Sequence, residues 1–135
     1  MIILLAHERE VLQYVASLDL AVFDLLEKQT KPTTVIYENA VNLPDNLINK
    51  DGSVAIRVVQ DEFCKHLIKR LQHPLVSTSA NLSGQPSPEN FSQVSDGIKT
   101  AVDYVVHYKQ EVVEKQQAST ILHWHADGTH TIIRP

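Results

Sequence analysis

Cysteine occurs once in the 135 residues, as Cys64. One cysteine excludes an intramolecular disulfide. Its surroundings read as an apolar helix without the positive charge that stabilises a thiolate, so an ordinary packed thiol is expected. Long hydrophobic runs are also missing. The longest fully apolar stretch, Met1 to Ala6, is far short of the roughly 20 residues that cross a bilayer. Charged Glu8, Arg9 and Glu10 follow before any cleavage-like site, which excludes a secretory signal pattern. A cytoplasmic location and no membrane partner are expected. Positive charge is not in excess either, the formal net charge being -4. The surface as a whole therefore does not attract nucleic acid, and any polynucleotide role needs a local basic patch. No repeat, low-complexity tract or linker interrupts the chain. Its length and 43% hydrophobic content fit one globular domain spanning residues 1–135.

What is present is a loose alternation of strands and helices. Ile2 to Ala6 reads as a strand buried on both faces. Val11, Leu12 and Val15 lie at helical spacing, and Leu18 to Leu26 forms a second short helix that ends before Lys31-Pro32. Thr33 to Tyr37 and Val54 to Val59 are rich in β-branched residues and read as strands, with Asp51-Gly52 turning into the second. From Asp61 to Leu71, Phe63, Leu67, Ile68 and Leu71 face one side and Lys65, Lys69 and Arg70 the other, the pattern of an amphipathic helix. A short strand, Pro74 to Thr78, runs into the small polar stretch Ser79 to Gly84. Two short helices, Pro88 to Val94 and Ser95 to Val102, and a strand at Tyr104-Val105-Val106 follow. Ala126-Asp127-Gly128 then turns a hairpin between Thr120 to Trp124 and Thr129 to Arg134. The pattern predicts an α/β domain with a mixed sheet.

The densest chemistry lies in Ser77-Thr78-Ser79-Ala80-Asn81-Leu82-Ser83-Gly84. Hydroxyls, an amide and a glycine at a strand end hold an anionic or polar ligand through short side chains and backbone N–H groups; the same composition also makes a plain polar turn. His123 and His125 project from one face of a strand with His130 across the hairpin, which invites a metal ion. No Asp, Glu or Cys completes a set in register, so paired surface histidines and no metal site are expected. A serine hydrolase using Ser77 or Ser83 with His66 or His73 lacks the G-x-S-x-G elbow.

Ile56-Arg57-Val58 and, after a helix, the stretch from His73 to Pro88 (HPLVSTSANLSGQPSP) resemble the arginine strand and the P-L-V-x-T-S-A-N-x-S-G-x-P-S-P segment of the YrdC family. Three further matches come in the right order. Lys31-Pro32-Thr33-Thr34-Val35-Ile36 is similar to that family's P-G-P-x-T strand, Ala118-Ser119-Thr120-Ile121 to its S-T-V strand, and Ile132-Ile133-Arg134-Pro135 to its terminal I-x-R segment. The resemblance implies a YrdC-like twisted mixed sheet with flanking helices. It also implies an L-threonylcarbamoyladenylate synthase, a nucleotidyltransferase that joins L-threonine, bicarbonate and ATP for the threonylcarbamoyladenosine modification of tRNA. ATP with Mg²⁺ is then the expected substrate complex, the metal being held mainly by phosphates and water.

Carried over by residue, the resemblance assigns Arg57, Ser79 and Ser119 to threonine, and Ser53, Asn81 and Arg134 to ATP. A guanidinium such as Arg57 pairs bidentately with a carboxylate, where lysine is a poorer match. Ser79 and Asn81, two residues apart, share a side if extended and bond ligand oxygens without adding charge. Arg134 suits negative charge that shifts during attack on the α-phosphate. Taken one at a time, each has a structural alternative, from a surface arginine at Arg57 to loop capping by Ser79 and Asn81.

The family's P-T-x-T-x-Y-G-L segment and its K-x-R motif find no match. The chain is therefore expected to be an N-terminally truncated form that is weak or inactive alone, because phosphoryl-type transfer depends on positioning and charge stabilisation. Val59 and Thr30-Lys31 depart from the family pattern, and Glu89 stands where a threonine often meets ATP and would repel phosphate. The rival expectation is a non-catalytic nucleotide- or double-stranded-RNA-binding module using Lys65, Lys69 and Arg70. Candidate partners are tRNA, the proteins of the t6A pathway and a second copy of the chain, the last through an exposed sheet edge.

Overall fold

The computed structural model describes residues 1–115 and 118–135. Chain contacts divide it into two compact units, one of residues 1–77 with 119–135 and one of residues 78–118. The first unit contains the sheet. Its strands are β1 (Ile2–Leu5), β2 (Thr33–Tyr37), β3 (Val54–Val58), β4 (Leu75–Ser77), β5 (Thr120–Trp124) and β6 (His130–Arg134), in the order β4-β1-β3-β2-β5-β6. β1 runs parallel to β3 and β2 parallel to β5, while the β1–β4, β2–β3 and β5–β6 pairs are antiparallel. The expected mixed sheet is thus present.

Alternation along these strands sends successive side chains to opposite faces. Ile3, Leu5, Val35, Tyr37, Val54, Ile56, Leu122 and Trp124 form one buried cluster with Val11, Val15 and Val22. Those three valines come from a 3₁₀ turn at Glu8–Gln13, the segment after it, and helix α1 (Ala21–Glu27). On β1 the fully buried side chains are Ile3 and Leu5, whereas Ile2 and Leu4 are half-buried, so the strand is less symmetric than its unbroken apolar run predicts.

Helix α2 (Glu62–Leu71) starts one residue later than expected, because Asp61 acts as its cap and accepts the Cys64 N–H at 3.0 Å. It ends on Gln72 in the left-handed region, two residues before Pro74. Ile68 packs with Ala6 and Val59, joined by Leu4, Cys64 and Leu75, which gives Cys64 the packing role expected of it. Leu67 and Leu71 are 41% and 46% exposed, so the apolar stripe buries less than its spacing predicts.

The β5–β6 hairpin turns where expected. Asp127 Oδ1 accepts the Thr129 N–H and hydroxyl, and Gly128 has φ +85° with Asp19 Oδ2 only 3.0 Å from where a Cβ would stand. Any other residue there meets both a strained backbone and a carboxylate.

The second unit holds a 3₁₀ turn at Phe91–Gln93 and helix α3 (Asp96–Ala101). The strand expected at Tyr104-Val105-Val106 is absent, and that segment is irregular. Tyr104 is 71% exposed, so its β-branched neighbours have no sheet partner to override the loop.

Candidate functional site: two arginines on one serine

Antiparallel pairing places Thr34 of β2 directly opposite Arg57 of β3, and parallel pairing places Thr34 beside Ile121 of β5, which in turn faces Arg134 of β6. Ser119 precedes β5 by one residue, where the Thr120 N–H donates to Pro32 O. The side chains of Thr34, Arg57, Ser119 and Arg134 meet on the sheet face opposite Val35 and Ile56.

The geometry is a short chain of donors and acceptors. Arg57 Nε donates to Thr34 Oγ1 at 2.9 Å, and Arg57 Nη2 donates to Ser119 Oγ at 2.8 Å. Arg134 Nε and Nη2 both donate to the Ser119 carbonyl, at 2.9 and 2.7 Å, and Nη2 also reaches Ser119 Oγ at 3.1 Å. Thr34 and Ser119 are both buried. Every acceptor in this set is neutral, and among the described residues neither guanidinium has a carboxylate within ion-pair distance.

Burial, and then the charge of Arg134, hold the Arg57 guanidinium below its ordinary pKa. Like charges gathered on one serine at partial burial repel, and an anion brought between them removes that repulsion while gaining charge-assisted hydrogen bonds. The arrangement can therefore receive a carboxylate or phosphate oxygen.

The other expected residues are placed as follows. Ser53 lies at the opposite end of β3 from Arg57, buried, its hydroxyl donating to Asp51 Oδ1 at 2.6 Å and accepting from Asn49 Nδ2 at 3.0 Å. The Ser53 hydroxyl, and then the Ser53 N–H, hold the Asp51 carboxyl below its usual range. Ser79 and Asn81 belong to the second unit. Asn81 Nδ2 donates to the carbonyls of Leu82 and Gln85 at 2.9 and 3.0 Å, closing its own loop, while Ser79 is exposed. Glu89 is neutralised by Lys115, 2.6 Å away, which offsets the repulsion its charge predicts. Thr34 escaped sequence reasoning as a site residue, although it sits inside the matched Lys31-to-Ile36 segment. The signal available was a pair of threonines, Thr33-Thr34, two residues after Lys31 and opening a strand that continues as Val35-Ile36-Tyr37.

The histidines are arranged differently from expectation. His130 pairs with Trp124 in the ladder and stacks on its ring at 5.9 Å, so it shares the core-side face. His123 and His125 share the other face, and Glu38 supplies the carboxylate that the linear sequence did not bring into register.

The family model for Sua5, YciO and YrdC proteins, described as "Telomere recombination", matches residues 1–135. This chain belongs to that family. The threonylcarbamoyl-AMP synthase of Idiomarina loihiensis is 29% identical over 109 residues, covering 78% of this chain and 59% of that protein. The enzyme of the same name from Dichelobacter nodosus is 38% identical over 63 residues, 47% of this chain and 33% of its own. The chain thus spans less than two thirds of the length of these Sua5/YciO/YrdC relatives.

Solved structures of family members share the fold. A variant of P. abyssi Sua5 superposes with a TM-score of 0.82 at 20% identity, over 99% of this chain and 40% of that one. E. coli YciO gives 0.80 at 21% identity, over 98% and 64%. P. abyssi Sua5 complexed with L-threonine gives 0.72 at 19% identity, over 99% and 39%.

Proposed function

We propose that this chain carries the amino-acid-binding part of a threonylcarbamoyl-AMP synthase site. The observation that supports it is the convergence of Arg57 and Arg134 on Ser119 with no carboxylate partner among the described residues. The full reaction joins L-threonine, bicarbonate and ATP, and the relatives that bear the synthase name match this chain over part of their length.

In this reading the threonine carboxylate, or that of its N-carboxy derivative, is held by Arg57 as a bidentate partner. Thr34 and Ser119 fix the guanidinium plane beforehand, so little side-chain entropy is lost on binding. Arg134 is fixed in the same way by the Ser119 carbonyl, and its placement groups it with the threonine side as much as with the ATP side. Ser53 lies four residues along β3 from Arg57, on the order of 13 Å at the usual strand rise, a span that suits a nucleotide joined to an amino acid. Ser79, which is proposed to contact threonine, and Asn81, which is proposed to contact ATP, keep those roles on the second unit, and the chain is read as one partial YrdC-like domain. Mg²⁺ accompanies ATP, held mainly by phosphate and water.

The wider assignments go with this reading. They are a role in tRNA modification with the t6A proteins as partners, a cytoplasmic setting, and self-association through the exposed β6. Among the described residues no helix is long and apolar enough to cross a membrane. Binding of double-stranded RNA through α2 is a weaker alternative, because Lys65 shares its charge with Glu62 at 3.9 Å.

Titration with L-threonine and with ATP, followed by an assay for threonine- and bicarbonate-dependent release of pyrophosphate, tests the proposal. Threonine binding that is lost in Arg57→Ala supports it even where turnover is absent. No threonine or ATP binding, with steeply salt-dependent binding of double-stranded RNA, moves the function to the RNA-binding alternative.

A further inference from the structure

A second polar cluster stands at the other end of the same sheet face. His123 and His125 alternate with Trp124 and so project together, and β2 runs parallel with Ile36 beside His123 and Tyr37 beside Trp124, which carries Glu38 next to His125. Glu38 Oε1 lies 3.3 Å from His123 Nε2 and 3.3 Å from His125 Nδ1. One ligand atom from each of the three residues falls within a 4.8 Å group.

The hydrogen bonds around this group satisfy His125 and Glu38, which bond each other through Nδ1 and Oε1 at 3.3 Å, but leave His123 without a partner. His123 Nε2 is buried and has no hydrogen-bond partner, although Glu38 Oε1 is 3.3 Å away. His125 Nε2 is 2.8 Å from Thr131 Oγ1, and Glu38 Oε2 accepts the Ala126 N–H at 3.0 Å. Thr131 and Ala126 thus orient the outer edges of an imidazole and a carboxylate whose inner atoms face one another. If His125 donates to Thr131, its Nδ1 lone pair points at a carboxylate oxygen. A proton on His125 Nδ1 serves the Glu38 contact but not the buried His123 Nε2, whereas a cation between the three atoms engages all of them.

Size and chemistry select the cation. Ligand atoms each about 2.0–2.1 Å from a tetrahedral zinc ion are about 3.3–3.4 Å apart, which matches both nitrogen–oxygen separations. Two imidazoles with one carboxylate suit a divalent first-row transition ion better than Mg²⁺ or Ca²⁺, which prefer oxygen. Asp51 and Asp127 add negative charge close enough to interact with His123 and His125 respectively.

We propose that Glu38, His123 and His125 form a three-ligand site for a divalent transition-metal ion, zinc foremost, with a fourth position open to water. The ion joins the end of β2 to the β5–β6 hairpin, so its binding stabilises the first unit. The site makes no use of the arginine cluster, and its test stands apart from threonine binding.

The test uses tag-free chain stripped with a chelator and titrated with Zn²⁺ by calorimetry and with Co²⁺ by visible absorption. One Zn²⁺ per chain, a raised melting temperature, and Co²⁺ bands of the intensity seen for four- or five-coordinate nitrogen–oxygen sites are expected. Affinity falls at least about 100-fold in His123→Gln or Glu38→Gln, and about 10-fold in Thr131→Val, which removes only an outer partner. Circular dichroism of the metal-free variants confirms that each is folded, and Glu38→Gln keeps the shape should a histidine variant fail. Absence of Zn²⁺ binding at micromolar concentration overturns the proposal. So does undiminished affinity in a folded His123→Gln/His125→Gln double variant, or a weak octahedral Co²⁺ spectrum.

Discussion

The two ends of one sheet face are built on the same strands and do opposite things. At one end Arg57 and Arg134 crowd positive charge onto Ser119 and Thr34. At the other, Glu38 is drawn in by His123 and His125. The first gathers two guanidinium groups on neutral oxygens, and the second gathers two imidazoles around one carboxylate. Strand polarity alone separates them, because β2 and β5 start at the arginine end and finish at the histidine end. A regular ladder can therefore present two unlike polar clusters about four residues apart without any special loop.

Both ends stand on one core, so the largest effect is expected from the core itself. Leu5→Ala, at a fully buried position, should cost about 2–5 kcal/mol by denaturant unfolding and weaken ligand binding at both ends together. Loss at one end only would break the picture of a shared scaffold. Arg57→Ala should separate the ends: threonine affinity falls by about 2 kcal/mol or more, the scale of charge-assisted hydrogen bonds, while Zn²⁺ affinity stays within about twofold, as measured by calorimetry.

Thr34→Val is a finer cut at the arginine end. It leaves Arg57 Nε without its acceptor, and the expected loss is about 1–3 kcal/mol in stability, with threonine affinity reduced less than in Arg57→Ala. Asp61→Ala touches neither end. Removing the α2 cap should cost about 1 kcal/mol in thermal or urea unfolding, with both ligand affinities unchanged.

The smallest effect concerns acid. Ser53 holds the Asp51 carboxyl below its ordinary range, so this carboxylate favours the folded state above the unfolded carboxyl pKa of about 3.9. That contribution is lost as pH falls through the depressed folded value. Ser53→Ala should shift the acid-unfolding midpoint slightly upward. An unchanged midpoint would mean the Asp51 turn is irrelevant to stability.

The sequence made the sheet legible because its strands are strongly patterned. Thr33–Tyr37 and Thr120–Trp124 coincide with the strands read from β-branched runs, and the hairpin follows from Asp127-Gly128. Arg57, Ser119 and Arg134 were reachable through the motif order. Thr34 and Glu38 were not, for a shared reason. Each acquires its role from a partner more than twenty residues away, Arg57 to Thr34 and the histidines to Glu38, and strand register across β2 and β5 is not written locally. The Tyr104-to-Val106 segment failed for the converse reason, since a β-branched run is a strand only where another strand accepts it.

The most direct test of the account is a calorimetric titration of L-threonine into the wild-type chain and into folded Arg57→Ala. The account predicts one threonine site in the wild type and its loss in the variant, with the unfolding transition retained. Equal threonine affinity in the two proteins would contradict it.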